Sequence, residues 1–117
     1  MSNSSLRRMS DRRLGQNSFY LYQIKRFLIE HPYCHVWLVE NGVSEDEAKR
    51  QGGRVRVGGP DSPLVAIPLA TEVHHRNKRR DEDLLDQTHW LAVSRSGHEK
   101  IEQNKDWARS LNLLLPF

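Results

Sequence analysis

Histidine dominates the part of this chain that can do chemistry. Four of its six histidines, His74, His75, His89 and His98, lie between positions 74 and 98. Near neutral pH an imidazole serves either as a ligand for a divalent cation or as a general base. His74 and His75 are adjacent at the end of a predicted strand, where side chains alternate between faces. Both can serve one site only if the strand ends or bulges there, and the charged loop over residues 76–86 says that it ends. His98 stands beside Ser96 in the first turn of a predicted helix, whose unpaired backbone N–H groups attract anions. A phosphate between a metal on His98 and that helix end would be well placed. Scattered surface or core histidines fit the same spacing, so spacing alone leaves a metal role and a structural role open.

The elements that must position these residues follow from periodicity. Residues 18–30 predict an amphipathic helix, with Ser18 as N-cap and Phe19, Tyr20, Ile24, Phe27 and Leu28 at helical spacing. Gln23, Lys25, Arg26 and Glu30 take the other side, and His31-Pro32 ends the helix. At least one of Tyr20 and Tyr22 is expected at the surface. The aromatic, apolar run 33–39 predicts a strand or extended segment. Residues 44–50 predict a short helix with Ser44 and Glu47 at capping-box spacing, stopped by Gly52 and Gly53. Residues 54–57 alternate as a strand does, and 58–61 form a turn, so the stretch of about 40–66 reads as an insertion carrying a hairpin.

Further on, 70–74 and 90–93 predict two short strands. Ser96 and Glu99 repeat the capping-box spacing and open a helix through about Gln103, and a further helix covers 106–111. The apolar tail 113–117 is expected to pack back on the domain or onto a partner. The fold class is thus α+β. Residues 1–16 read as a basic flexible arm, and 17–117 as a single domain. His31 and His35 are assigned structural places, and Trp37, Trp90 and Trp107 are assigned to the core.

Composition narrows the partner. The 117 residues carry a net charge of +3, concentrated in two basic groups. Arg7, Arg8, Arg12 and Arg13 form one, and Arg76, Lys78, Arg79 and Arg80 form the other. That distribution suits a polyanion, although solvated charge runs would look the same. The single cysteine, Cys34, excludes an intramolecular disulfide. No apolar run has the length of a membrane span, and the Ser- and Arg-rich start does not read as a secretory signal. A cytoplasmic protein without a membrane partner is expected.

Taken together, Glu72-Val-His-His-Arg76, Leu84-Leu-Asp86 and His89-Trp-Leu-Ala-Val-Ser-Arg-Ser-Gly-His98-Glu-Lys-Ile101 resemble the HNH (His-Me finger, ββα-metal) nucleases, above all their small phage-type members. Asn104, Trp107-Ala-Arg109 and Leu111-Asn-Leu113 continue the likeness, and His31-Pro-Tyr-Cys34 resembles the entry to the same domain. The likeness covers roughly half the chain and leaves the insertion outside it.

The resemblance implies a ββα-metal core and a divalent-metal-dependent DNA endonuclease or nickase. It implies His75 as the general base, His74 and His98 as metal ligands, and His89 as the central residue that braces the loop and supports catalysis. The implied cofactor is one divalent cation: Mg²⁺, Mn²⁺, Ni²⁺ or Zn²⁺. The implied partner is double-stranded DNA, met by Arg76, Lys78, Arg79, Arg80 and Arg95 and by the arginines of the arm. Arg76 or Arg79, and less readily Arg95, would neutralise developing charge. A homodimer or a phage-protein partner fits, as does the host-cell cytoplasm if the chain is phage-encoded.

The likeness also has departures. Many relatives hold a structural zinc with four cysteines, and here the matching positions are Cys34, Trp37, Ser94 and Gly97. A four-cysteine zinc site is therefore excluded, and packing around Trp37 and Trp90 is the expected replacement. Glu102 stands where relatives often carry another histidine. The alternatives are a protein of the same fold that binds nucleic acid or assists phage assembly without cutting, and a small zinc-binding regulator using the histidines alone.

Overall fold

The computed structural model describes residues 11–76 and 87–115 of the chain, with side chains in the first helix from Ser18 onward. Helix α1 (Asp11–Glu30) turns its apolar stripe inward: Tyr20 and Phe27 are buried, and Ile24 and Leu28 pack beside them. Tyr22 is the exposed tyrosine, at 54 %. The helix starts at Asp11, so Ser18 lies inside it and does not cap it. Arg12, Arg13, Leu14 and Gln16 are all good helix formers and carry the helix back beyond the amphipathic part. Residues 11–16 of the expected flexible arm are therefore helical, and residues 1–10 lie outside the described residues. The far end stops as expected before Pro32, with the His31 N–H donating to the Phe27 carbonyl at 2.8 Å.

The run after Pro32 departs from expectation. Only Tyr33 is paired as a strand residue, bridging to Leu69, and His35–Asn41 form helix α2. The reason lies in burial on more than one side. Val36 packs with Cys34, Val93 and Ile101, whereas Leu38 packs with Ala48, Val55 and Ile67. A short helix buried between two clusters shows no polar face, and its apolar run cannot be told from a strand by periodicity. Gly42 closes it in the left-handed region at φ 65°, its N–H directed at the Leu38 and Val39 carbonyls, and the Val43 N–H reaches the Leu38 carbonyl at 3.0 Å.

Helix α3 (Glu45–Arg50) is capped as predicted, the Ser44 hydroxyl accepting from the Glu47 N–H at 3.1 Å. The expected hairpin is also present. Strand β1 (Arg54–Arg56) pairs antiparallel with β2 (Leu64–Ala66), Val55 standing opposite Val65.

A second antiparallel ladder joins β3 (Glu72–His75) to β4 (Trp90–Val93), pairing Glu72 with Val93, Val73 with Ala92, His74 with Leu91 and His75 with Trp90. One face, with Val73, Trp90 and Ala92, packs on α1. The other, with Leu91 and Val93, packs on α2 and on α4 (Arg95–Gln103). Helix α5 (Lys105–Ser110) follows, and the tail turns back: Leu113 is fully buried, and the Leu115 N–H donates to the Arg76 carbonyl at 2.8 Å. The described residues form a mixed α+β fold with two small antiparallel sheets. Among the described residues no helix is long and apolar enough to cross a membrane.

Burial holds the imidazoles of His35 and His74 below their ordinary value of 6.5. Below that pH the unfolded chain takes up protons that the folded chain refuses, so the stability contributed by both rings is complete above 6.5 and lost as pH falls through and below it. The thermal midpoint should drop between about pH 7.5 and 5.5, and His35→Gln should shrink the drop. Identical profiles for the two proteins would show that burying His35 carries no proton linkage.

Candidate metal centre

Two elements bring imidazoles together. His74 is the penultimate residue of β3 and is 4 % exposed, on the face turned to α4. His98 lies in the first turn of α4, whose position is set by its cap. The Ser94 hydroxyl accepts from the Gly97 N–H at 3.1 Å, so Ser94 is the N-cap, not Ser96. Val93 is buried and fixes the end of β4, which makes Ser94 the first residue able to take the extended cap conformation. The His74 and His98 rings meet at 5.1 Å between centroids. Glu102 follows one helical turn after His98 on the same face, with Oε1 3.4 Å from His98 Nε2. Ligand atoms of His74, His98 and Glu102 all lie within 4.8 Å of one another.

The outer contacts decide which nitrogens face inward. His74 Nε2 donates to the Leu113 carbonyl at 2.9 Å, which leaves Nδ1 with the lone pair. His98 Nδ1 meets Glu72 Oε1 at 2.5 Å, which leaves Nε2 on the Glu102 side. Metal-binding histidines are held in this way, one ring nitrogen donating to a carboxylate or carbonyl and the other turned to the cation. Burial lowers the pKa of His74, which favours the deprotonated form that a ligand requires, against the opposing pull of the Leu113 carbonyl. Two imidazoles and one carboxylate form a fitting set for a divalent cation that keeps open positions for water or substrate.

The other expected site residues occupy different places. His75 faces the opposite side of the strand, its Nε2 3.3 Å from the Tyr20 hydroxyl and its ring 5.8 Å from that of Trp90. His89 ends a 3-10 turn (Gln87–His89), and its carbonyl accepts from the Arg76 N–H at 2.8 Å, extending the ladder. The Arg76 guanidinium donates to the Asn112 carbonyl at 3.3 Å and the Thr88 carbonyl at 3.1 Å. It therefore ties the strand end to the tail. Arg95 is exposed beside the centre, 3.7 Å from Glu72 and 3.2 Å from Glu99. Lys78, Arg79, Arg80, Arg7 and Arg8, and the side chains of Arg12 and Arg13, lie outside the described residues.

Glu72 and Glu102 were not singled out as site residues by sequence reasoning. The helical spacing of His98 and Glu102 was a usable signal for one of them. The alternation of Glu72 and His74 along β3 was a usable signal for the other.

The positions equated with zinc cysteines also converge. The Ser94 hydroxyl donates to Cys34 Sγ at 3.3 Å, and a Cβ on Gly97 would stand 2.8 Å from that sulfur and 3.2 Å from Ser94 Oγ. Trp37 packs on the same cluster. Trp90 does not contribute to this packing, because its place in β4 turns it to the α1 face. Comparison with known proteins adds no relative: no family model matches the sequence, and no curated protein or solved structure matches it.

Two outcomes are expected. Gly97→Ala should destabilise the fold by about 1–3 kcal/mol, read from denaturant unfolding, because a buried sulfur must move. Calorimetric titration with Mn²⁺ or Zn²⁺ should give one site, lost in His98→Ala and weakened about 10- to 100-fold in Glu72→Gln. Equal affinity in His98→Ala would remove the centre from this position.

Proposed function

We propose that β3, β4 and α4 form a ββα-metal core of the HNH kind, and that the protein is a divalent-metal-dependent endonuclease or nickase acting on duplex DNA. One observation carries the reading: His74, His98 and Glu102 converge while Leu113 and Glu72 hold the outer nitrogens of the two rings. The order of elements around them, strand, strand, helix, agrees with the motif resemblance.

In this reading His74 Nδ1, His98 Nε2 and the Glu102 carboxylate hold the cation. The imidazole pair favours Mn²⁺, Ni²⁺ or Zn²⁺ over Mg²⁺. When bound, the cation polarises a non-bridging phosphate oxygen and stabilises the leaving 3′ oxygen. His75 removes a proton from water as the water oxygen bonds to phosphorus, and the bond to the 3′ oxygen breaks. Arg95, exposed at the rim, is placed to meet a neighbouring phosphate. His89 and Arg76 keep the strand end in shape through their backbone and carbonyl contacts.

A second reading keeps the fold and the cation without cutting, as a nucleic-acid-binding or phage assembly protein. Its support is the His75 ring, which faces α1, away from the His74–His98 pair, with Nε2 already against Tyr20. Supercoiled plasmid incubated with each of Mg²⁺, Mn²⁺, Ni²⁺ and Zn²⁺ separates the two. Nicking is expected with at least one ion, is abolished by chelator, and falls by about 10²- to 10⁴-fold in His75→Ala. Intact plasmid under every ion, with retained DNA binding, would establish the second reading.

A further inference from the structure

The hairpin of β1 and β2 carries two arginines that the chain itself does not neutralise. Strand alternation puts Arg54 and Arg56 on the outer face of β1, both exposed, while Val55 between them is buried with Leu38, Ala48 and Ile67. Across the ladder they stand opposite Ala66 and Leu64, which are exposed as well. Other basic side chains are matched to carboxylates: Arg26 to Glu30, Lys49 to Glu45, Arg50 to Glu47, Lys100 to Glu40 and Arg109 to Asp106. Among the described residues Arg54 and Arg56 have no carboxylate partner of this kind. Glu47 lines one groove with Arg56, but both of its oxygens are taken, by Arg50 and by Gln51. Arg56 gives one N–H to the Ser62 carbonyl, which restrains the side chain, and a guanidinium has five N–H groups to give.

The segment that leads into β3 ties this hairpin to the candidate centre. The Ile67 N–H donates to the Gly53 carbonyl, the Ala70 N–H to the Pro32 carbonyl and the Thr71 N–H to the Val93 carbonyl. From Ala66 to Glu72 the chain can span at most about 22 Å. Arg54 pairs with Ala66, which brings it within about 28 Å of Glu72, the residue that meets His98. One turn of B-form duplex is about 34 Å long. A duplex lying at the centre is therefore long enough to reach the hairpin within one turn. Arg54 and Arg56 stand about 6.7 Å apart along the strand, close to the step between successive phosphates of one DNA strand. Asp61 lies in the turn that closes the hairpin, so negative charge disfavours an approach by the tip and leaves the stem. We infer that the stem of the β1–β2 hairpin is a second contact for duplex DNA, in which Arg54 and Arg56 bind neighbouring phosphates outside the metal centre. The inference rests on the reading that the protein acts on duplex DNA. Phosphate contacts fix register and orientation and carry no sequence information, so the hairpin sets how a duplex lies and not which duplex is chosen.

The test measures affinity for a fluorescein-labelled duplex over a range of salt concentrations, with chelator present to prevent cutting, in the full chain. Each phosphate contact adds about 0.9 to the slope of log affinity against log salt. The double variant Arg54→Gln with Arg56→Gln should therefore flatten that slope by about 1.8, equally for duplexes of unrelated sequence. Lysine at both positions (Arg54→Lys with Arg56→Lys) should restore it. Lys49→Gln with Arg50→Gln removes the same formal charge from cations that already have carboxylate partners, and should leave the slope unchanged. Mn²⁺ affinity within about twofold of wild type in every variant checks that fold and centre are kept. A wild-type slope in the Arg54–Arg56 glutamine variant overturns the hairpin contact while leaving the DNA reading standing. Equal flattening by the Lys49–Arg50 pair overturns it too, because the effect is then one of general charge. A wild-type chain that binds duplex but nicks nothing removes the nuclease reading, and the slopes still judge the hairpin. A wild-type chain that binds no duplex at any salt concentration overturns both.

Discussion

The pleat of a four-residue strand governs this molecule. In β3 the side chains of Glu72 and His74 go to one face, and those of Val73 and His75 go to the other. Each face is then covered by a helix from a different part of the chain, α4 on the first and α1 on the second. A shift of one residue in the β3–β4 register would exchange the two faces. His74 would lose both His98 and the Leu113 carbonyl, and Val73 would be placed against charged groups. The register is held from both ends, by Thr71 N–H on the Val93 carbonyl and Arg76 N–H on the His89 carbonyl. The arrangement of the candidate centre is therefore as firm as that short ladder.

Charge around the centre is organised in layers. The buried His74 is innermost, and its burial disfavours the charged form. Glu72, Glu102 and His98 form a partly exposed middle layer, and Arg95 with Glu99 lies outside it. His98 has a carboxylate at each ring nitrogen, Glu72 at Nδ1 and Glu102 at Nε2. The cluster around Cys34 is the contrasting case. There a sulfur, a hydroxyl and a bare glycine meet at close range. The stabilisation there comes from close packing.

Much of this was legible in the sequence, for identifiable reasons. The hairpin announced itself through its turn residues and α3 through Ser44 and Glu47, whereas the meeting of His74 and His98 was expected only from the motif resemblance. Helix α2 was hidden because Val36 and Leu38 serve two different cores, so no polar face marked it. The start of α1 was hidden because its first turns carry no apolar stripe. Glu102 was seen only as a departure from a histidine, and its closeness to His74 depends on how α4 lies against β3. Two contributions had no signature at all. A backbone carbonyl, that of Leu113, can come from any residue, and the meeting of Tyr20 with His75 spans 55 positions.

The Leu113 carbonyl has a consequence in time. It reaches back across 39 positions to fix which nitrogen of His74 carries the proton. During synthesis, β3, β4 and α4 all leave the ribosome before it does. The contact that orients His74 is thus made after the two strands and the helix around it have been synthesised.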